Sequence, residues 1–161
     1  MFKMNRKVEY ALIALRHMQQ NDGACLVSAK EICDFYQAPF DLVSRVLQRL
    51  ASSGILQSEK GPHGGYRLCR GLDKISVLDL IETTVEPIAV ASCLSDDKAD
   101  CAMLGTCNIL TPMTALNHQL RQFFSQLSVA ELFQANPAAF TSEALRRAAT
   151  RSATIEEVEV L

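Results

Sequence analysis

Apolar residues recur at helical spacing almost from the start of the chain. Val8, Leu12, Leu15 and Met18 form one stripe, which predicts a helix from about Arg6 to Gln20, closed by Asn21-Asp22-Gly23. Ser28-Ala-Lys-Glu31 marks a second start with the spacing of a capping box. In that motif the serine hydroxyl accepts from the Glu31 amide, and the Glu31 carboxylate reaches back to the Ser28 N–H. Val27 and Ile32 stand where a hydrophobic staple closes over the turn. The helix is short, Ala29 to about Tyr36, and a turn through Gln37-Ala38-Pro39 follows, with Pro39 suited to a first helical position because it has no amide proton to leave unpaired. A third helix from Phe40 to about Ser52 buries Val43, Val46, Leu47 and Leu50 at i, i+3, i+4 and i+7. Its opposite face carries Asp41, Ser44, Arg45 and Gln48, with Arg49 at the border, and Gly54 suits a left-handed stop.

The pattern then changes. Ile55–Ser58 and Tyr66–Leu68 read as two short strands joined by Glu59-Lys-Gly-Pro-His-Gly-Gly65. Lys60, His63 and Arg67 surround this glycine-rich tip, as a wing against phosphates or a minor groove requires. It is no nucleotide cradle, because the lysine pattern of a phosphate-binding loop is missing and no helix follows directly. Ser76-Val-Leu-Asp79 caps another helix to about Thr84, with Val77, Leu80 and Ile81 inward. Beyond Thr111-Pro112, Met113, Leu116, Leu120, Phe123, Leu127 and Ala130 follow a three–four spacing, widened by Phe124 and Leu132. Such a seam on one long helix asks for a second copy of the chain, with packing on the chain's own winged helix as the alternative.

Together these elements predict a mainly α fold with a small β-wing, a winged helix-turn-helix plus a long C-terminal dimerisation helix. The expected divisions are a DNA-binding domain over 1–86, a cysteine-bearing loop over 87–110, the dimerisation helix over 111–136 and a flexible tail over 137–161. The second helix of a helix-turn-helix enters the major groove, where Arg bridges guanine and Gln pairs with adenine. The candidate DNA-contacting set is Ser28, Pro39, Asp41, Ser44, Arg45, Gln48, Arg49, Lys60, His63, Gly64, Gly65 and Arg67.

Composition changes this picture little. The 48% hydrophobic share is ample for a core, and the net charge of −2 argues against a nucleic-acid binder only until it is localised. Arg45, Arg49, Lys60, Arg67 and Arg70 face only Asp41 and Glu59 between residues 38 and 71, whereas the chain from 87 onward is acidic. No apolar run reaches the roughly eighteen residues of a membrane span, and the N-terminus lacks the apolar stretch of a signal peptide. A cytoplasmic chain is expected, without a membrane partner. No nucleophile–base pair stands in a recognisable context, and His17, His63 and His118 are far apart, so no enzyme is expected.

The strongest chemistry lies between the wing and the long helix. Cys93, Cys101 and Cys107 are spaced C-x7-C-x5-C on a polar stretch with Asp96, Asp97, Lys98 and Asp100, and Gly105 lets the backbone bend close to a metal. Three soft thiolates suit zinc or an iron–sulfur cluster. A thiol switch and incidental cysteines are the other readings. Cys25, Cys33 and Cys69 are scattered, and Cys33 beside Ile32 reads as a small buried hydrophobe.

Glu9-Tyr10-Ala11-Leu12, Gly61-Pro-His-Gly-Gly-Tyr-Arg-Leu68 and the cysteine triad resemble the IscR/NsrR/RirA family of bacterial winged-helix regulators over roughly residues 1–135. The resemblance implies a homodimer on double-stranded operator DNA, with an iron–sulfur cluster on Cys93, Cys101 and Cys107 whose occupancy or state controls repression. Relatives similar to the cluster-assembly regulator carry a histidine where this chain has Leu110. Relatives similar to the nitric-oxide sensor use a first-helix carboxylate of the other subunit, and Glu9 matches that place, with His118, Asn108 or water as alternatives. A carboxylate is a hard, weak iron ligand and would be the labile corner. The 4Fe–4S form is placed ahead of 2Fe–2S. Where cluster-assembly relatives carry a glutamate in the reading helix, this chain has Ser44. A zinc-stabilised or thiol-switching repressor without iron is the alternative, followed by an iron–sulfur electron carrier or enzyme.

Overall fold

The computed structural model describes residues 4–21, 23, 25–85, 87–94, 101 and 103–135. The expected tail over 137–161 lies outside them. Helix α1 spans Arg6–Gln20, α2 Ala29–Tyr36 and α3 Phe40–Ser52; strands β1 (Leu56–Glu59) and β2 (Gly65–Leu68) form the wing; α4 is Val77–Thr84, α5 Leu110–Gln126 and α6 Val129–Gln134. The fold is mainly α with one two-stranded antiparallel sheet, as a winged helix requires.

Each helix of the reading domain has an identifiable start and stop. Asn5 caps α1 through its side chain, which accepts from the Lys7 amide. The α1 stripe is broader than the large residues indicate, since Ala11 and Ala14 are as buried as Leu15 and Met18, while Leu12 is only half-buried. Ser28 accepts from the Glu31 amide at 3.1 Å, but the expected reciprocal bond is not made. The Glu31 carboxylate faces buried His17 instead, Oε1 to Nε2 at 3.3 Å, and so ties α2 to α1. Pro39 sits one place earlier than expected, as the cap residue of α3 and not its first helical residue. At the far end of α3, Gly54 takes φ +73°. The Gly54 and Ile55 amides donate to Ala51 and Leu50, so the orphan carbonyls of the last turn are satisfied as in a Schellman stop.

The core gathers Val43, Val46, Leu47 and Leu50 of α3 with Leu15 and Met18 of α1, Ile32 of α2, and Leu80 and Ile81 of α4. Each such side chain contributes about 1.5–3 kcal/mol by leaving water. Both strands begin one residue away from the positions read from sequence, and pair Leu56 with Leu68 through Glu59 with Gly65. The α4 capping box is closed in both directions between Ser76 and Asp79.

The single long helix expected from Thr111 is two helices. It ends at Gln126, Leu127 turns extended, and Ser128 opens α6 with a second complete capping box to Glu131. That corner is pinned to the reading domain, because the Val77 amide donates to Leu127 C=O at 2.8 Å and the Val129 amide to Ile75 C=O at 2.9 Å. Val129 is fully buried, and Arg16 of α1 lies 5.1 Å over the Phe133 ring. Half of the expected seam, Phe124, Leu127, Ala130 and Leu132, therefore packs on the chain's own domain. Hydrogen bonds from the Ser128 hydroxyl and amide hold the Glu131 carboxyl below its ordinary value. The box is therefore intact at neutral pH and weakens as pH falls through that lowered value. Ser128→Ala is expected to cost about 1 kcal/mol of stability. Urea unfolding checks this, and an unchanged midpoint would show that the corner is held without the box.

Candidate nucleic-acid interface and cysteine segment

Pro39 and the left-handed Gln37 (φ +52°) turn the chain sharply between α2 and α3, so α3 leaves the domain with its polar face outward. On that face Asp41, Arg45 and Gln48 are exposed and Ser44 is half-buried. Arg49 is otherwise engaged. Its Nη1 donates to the Thr84 carbonyl at 3.0 Å, which caps the C-terminal turn of α4 and bolts it to the reading helix. Ser28 also spends its oxygen internally, as the cap of α2.

The wing presents Lys60 and His63, both exposed, on a tip where Gly61 takes φ +122°. Arg67 does not point freely outward, since Glu59 holds it at 3.0 Å and Gln57 Oε1 accepts from its Nε and Nη2. Gly64 and Gly65 are required by space. A Cβ at Gly65 would stand 2.7 Å from the Val27 carbonyl oxygen, and one at Gly64 would overlap the Glu59 carbonyl.

Cys93, Cys101 and Cys107 are free, half-buried thiols outside the core. Cys93 lies on the short turn Ser92–Leu94, and Cys101 and Cys107 flank the turn Leu104–Thr106, whose first amide donates to Cys101 C=O at 2.9 Å. Residues 95–100 and 102 lie outside the described part. Among the described residues no three His, Cys, Asp or Glu side chains stand together as a metal site. The donor set still fits an iron–sulfur group in kind: three accessible thiols, none spent on a disulfide. Glu9 is in the first turn of α1, half-buried and paired with Arg6 at 3.1 Å. Leu110 opens α5, while Asn108 and His118 are exposed. Cys33 is buried in α2, and burial, then the Asp34 carboxylate, push its thiol up, which keeps it protonated and inert.

Two contacts that the sequence did not reveal connect these parts. The Val90 amide donates to Asn117 Oδ1 at 3.0 Å, anchoring the chain just before Cys93 to α5. Arg121 of α5 forms an ion pair with Glu82 of α4. Since Arg49 grips the end of α4, a continuous set of polar contacts runs from the cysteine segment through α5 and α4 to the reading helix. Periodicity could not have found it, because each contact joins elements more than twenty-five residues apart in sequence.

A family model described as "Rrf2: Iron-dependent Transcriptional regulator" matches residues 4–135. The chain belongs to the Rrf2 family. A protein of Aquifex aeolicus named as an HTH-type transcriptional regulator is 30% identical over 126 residues, 78% of this chain and 87% of that protein. The regulator NsrR of Bacillus licheniformis is 25% identical over 123 residues, 76% of this chain and 81% of that protein. Among solved structures, a transcriptional regulator from Listeria innocua superposes with a TM-score of 0.67 at 21% identity, covering 88% of this chain and 92% of that one. CymR, the global cysteine regulator of B. subtilis, gives 0.61 at 19% identity over 82% and 96%, and T. potens IscR gives 0.59 at 19% over 88% and 93%. This Rrf2 protein is a transcriptional regulator and not an enzyme, in keeping with its named relatives. Among the described residues no helix is long and apolar enough to cross a membrane.

Proposed function

We propose that this Rrf2 regulator is a homodimeric repressor whose affinity for double-stranded operator DNA is set by an iron–sulfur cluster on Cys93, Cys101 and Cys107. The observation that carries the reading is the set of three free, half-buried thiols on a segment tied by Val90 and Asn117 to α5. A bound cluster would supply a centre whose charge and occupancy change with iron supply, oxidants or nitric oxide. Glu9 of a second copy of this chain is the candidate fourth donor. Among the described residues Glu9 has only the exposed Arg6 to release, so exchanging that partner costs little.

The dimer would form along α5, none of whose residues is buried in the single chain and on which Leu116 and Phe123 are exposed. Two copies would set α3 into successive major grooves, with Lys60 and His63 of each wing along the flanking backbone. Movement of α5 would reach α3 through Glu82, Thr84 and Arg49, so a few kcal/mol of preference for one arrangement suffices to change operator affinity. Arg45, exposed and unpaired among the described residues, is the guanidinium left to bridge a base. Arg45→Ala is expected to weaken operator binding by about 1–3 kcal/mol, roughly 5- to 150-fold, with the cluster intact. Fluorescence anisotropy at fixed salt checks this, and unaltered affinity would remove Arg45 from the reading set.

The test of the whole reading is the visible spectrum, metal content and operator binding of protein purified without oxygen, before and after air or nitric oxide. Broad visible absorbance with matching iron and sulfide, lost together with a change in DNA binding, is the expected result. A colourless protein with zinc, or with no metal and a thiol-dependent DNA response, would replace it with the second reading, a zinc-stabilised or thiol-switching repressor, which the same three free thiols support.

A further inference from the structure

We propose that Phe40, at the first turn of α3, reads DNA by packing its ring against the C5-methyl group of a thymine in the major groove. This assignment rests on the proposal that α3 enters that groove. Phe40 is 54% exposed and does not belong to the core or to the apolar side chains packed against it. Phe35, the other exposed aromatic of the helix-turn-helix, has internal partners, with ring centroids 5.4 Å from His17 and 4.8 Å from Tyr36. Among the described residues Phe40 makes no such stack.

Helix formation does not explain a phenylalanine here either. The first turn of a helix favours small polar caps, acidic residues and proline, and Phe is only a middling helix former. Position supplies the reason. The N-terminal residues of a recognition helix are those that reach base edges. Spacing of four sets Phe40, Ser44 and Gln48 on one stripe, beside Asp41 and Arg45. Ser44, one turn further along the stripe, is small and half-buried. The polar members of that stripe can pair with hydrogen-bonding base atoms. Only an apolar group can reward a methyl, and thymine is the base that carries one in the major groove. The turn behind the ring is fixed by left-handed Gln37, whose side-chain amide donates to Asp34 C=O at 2.8 Å, and by Pro39. The backbone that carries the ring is thus held in place before binding.

The experiment uses duplexes selected by the full-length protein from a random double-stranded pool, with each thymine then replaced singly by uracil, which lacks only the methyl. Affinities of wild-type, Phe40→Ala and Phe40→Leu proteins are measured at one salt concentration. For the wild type, uracil at the contacted thymine of a single half-site is expected to weaken binding about fourfold, the worth of one buried methyl-sized group. Phe40→Ala should bind the thymine duplex as weakly as the uracil one, while Phe40→Leu keeps part of the discrimination. The exposed side chain leaves the thermal midpoint unchanged in both variants. Equal uracil penalties in wild type and Phe40→Ala at every thymine would overturn the assignment while leaving DNA binding standing. Failure of the wild type to select any duplex would instead overturn the DNA-binding reading and this assignment with it.

Discussion

Replacing Cys101 by alanine is expected to abolish cluster binding while the winged helix stays folded. Cys101 is half-buried and lies outside the core, so removing its sulfur opens no cavity, and the cost to stability should stay within about 0.5 kcal/mol. What is lost is one of three soft ligands. None of the other candidate donors, Glu9, Asn108, His118 or water, is a soft thiolate of the kind that holds such a cluster. Iron and sulfide content should fall to background, visible absorbance should disappear, and operator binding should no longer respond to air or nitric oxide. Cys33→Ala is the matched control. That thiol is buried in α2 and kept protonated, so its loss should lower the thermal midpoint and leave iron content untouched. Cys101→Ala protein that retained full iron and a normal response would end the cluster proposal.

Gly65→Ala should strongly destabilise the attachment of the wing to the rest of the domain. The added carbon would stand 2.7 Å from the Val27 carbonyl oxygen and 2.9 Å from its carbon, and backbone cannot swing aside as a side chain can. The same site holds the reciprocal 2.9 Å hydrogen bonds between Val27 and Tyr66, which attach the wing to the segment entering α2. The upper end of the overpacking range, about 3 kcal/mol, is expected. For a chain of this length that is a fall of roughly 6–12 °C in thermal midpoint. Gly54→Ala offers a contrast, since nothing lies within 4 Å of its Cβ position and only the positive φ is penalised. Circular dichroism melting checks both. A Gly65→Ala midpoint equal to wild type would show that the wing is not pinned at residue 27. Gly64 and Gly65 belong to the candidate DNA-contacting set, and the close approach of neighbouring backbone already requires glycine at both places.

Local patterns carried α1 to α4 and the wing to within a residue or so, because amphipathic spacing, caps and glycine stops act over three or four positions. Val43, Val46, Leu47 and Leu50 declare the buried face of α3 by spacing alone, and Ser76 with Asp79 declares the start of α4. The same reasoning overran at residue 127. A three–four apolar rhythm continues across the corner and hides it, although Ser128-Val-Ala-Glu131 is the same kind of box that marks α4. The break is decided by Ile75 and Val77, whose backbone groups take up Val129 and Leu127 from far along the chain.

Charge was legible in sign and not in partner. The sequence by itself determines that residues 38–71 are basic and that three thiols sit between a reading domain and an apolar helix, since both are properties of composition and order. Which arginines remain free is a matter of tertiary structure. Arg49 is spent on Thr84 and Arg67 on Glu59 and Gln57, while Arg45 stays exposed. An unsatisfied carbonyl or carboxylate brought near by folding competes with solvent for any guanidinium within reach, and that proximity is written in three dimensions and not along the chain.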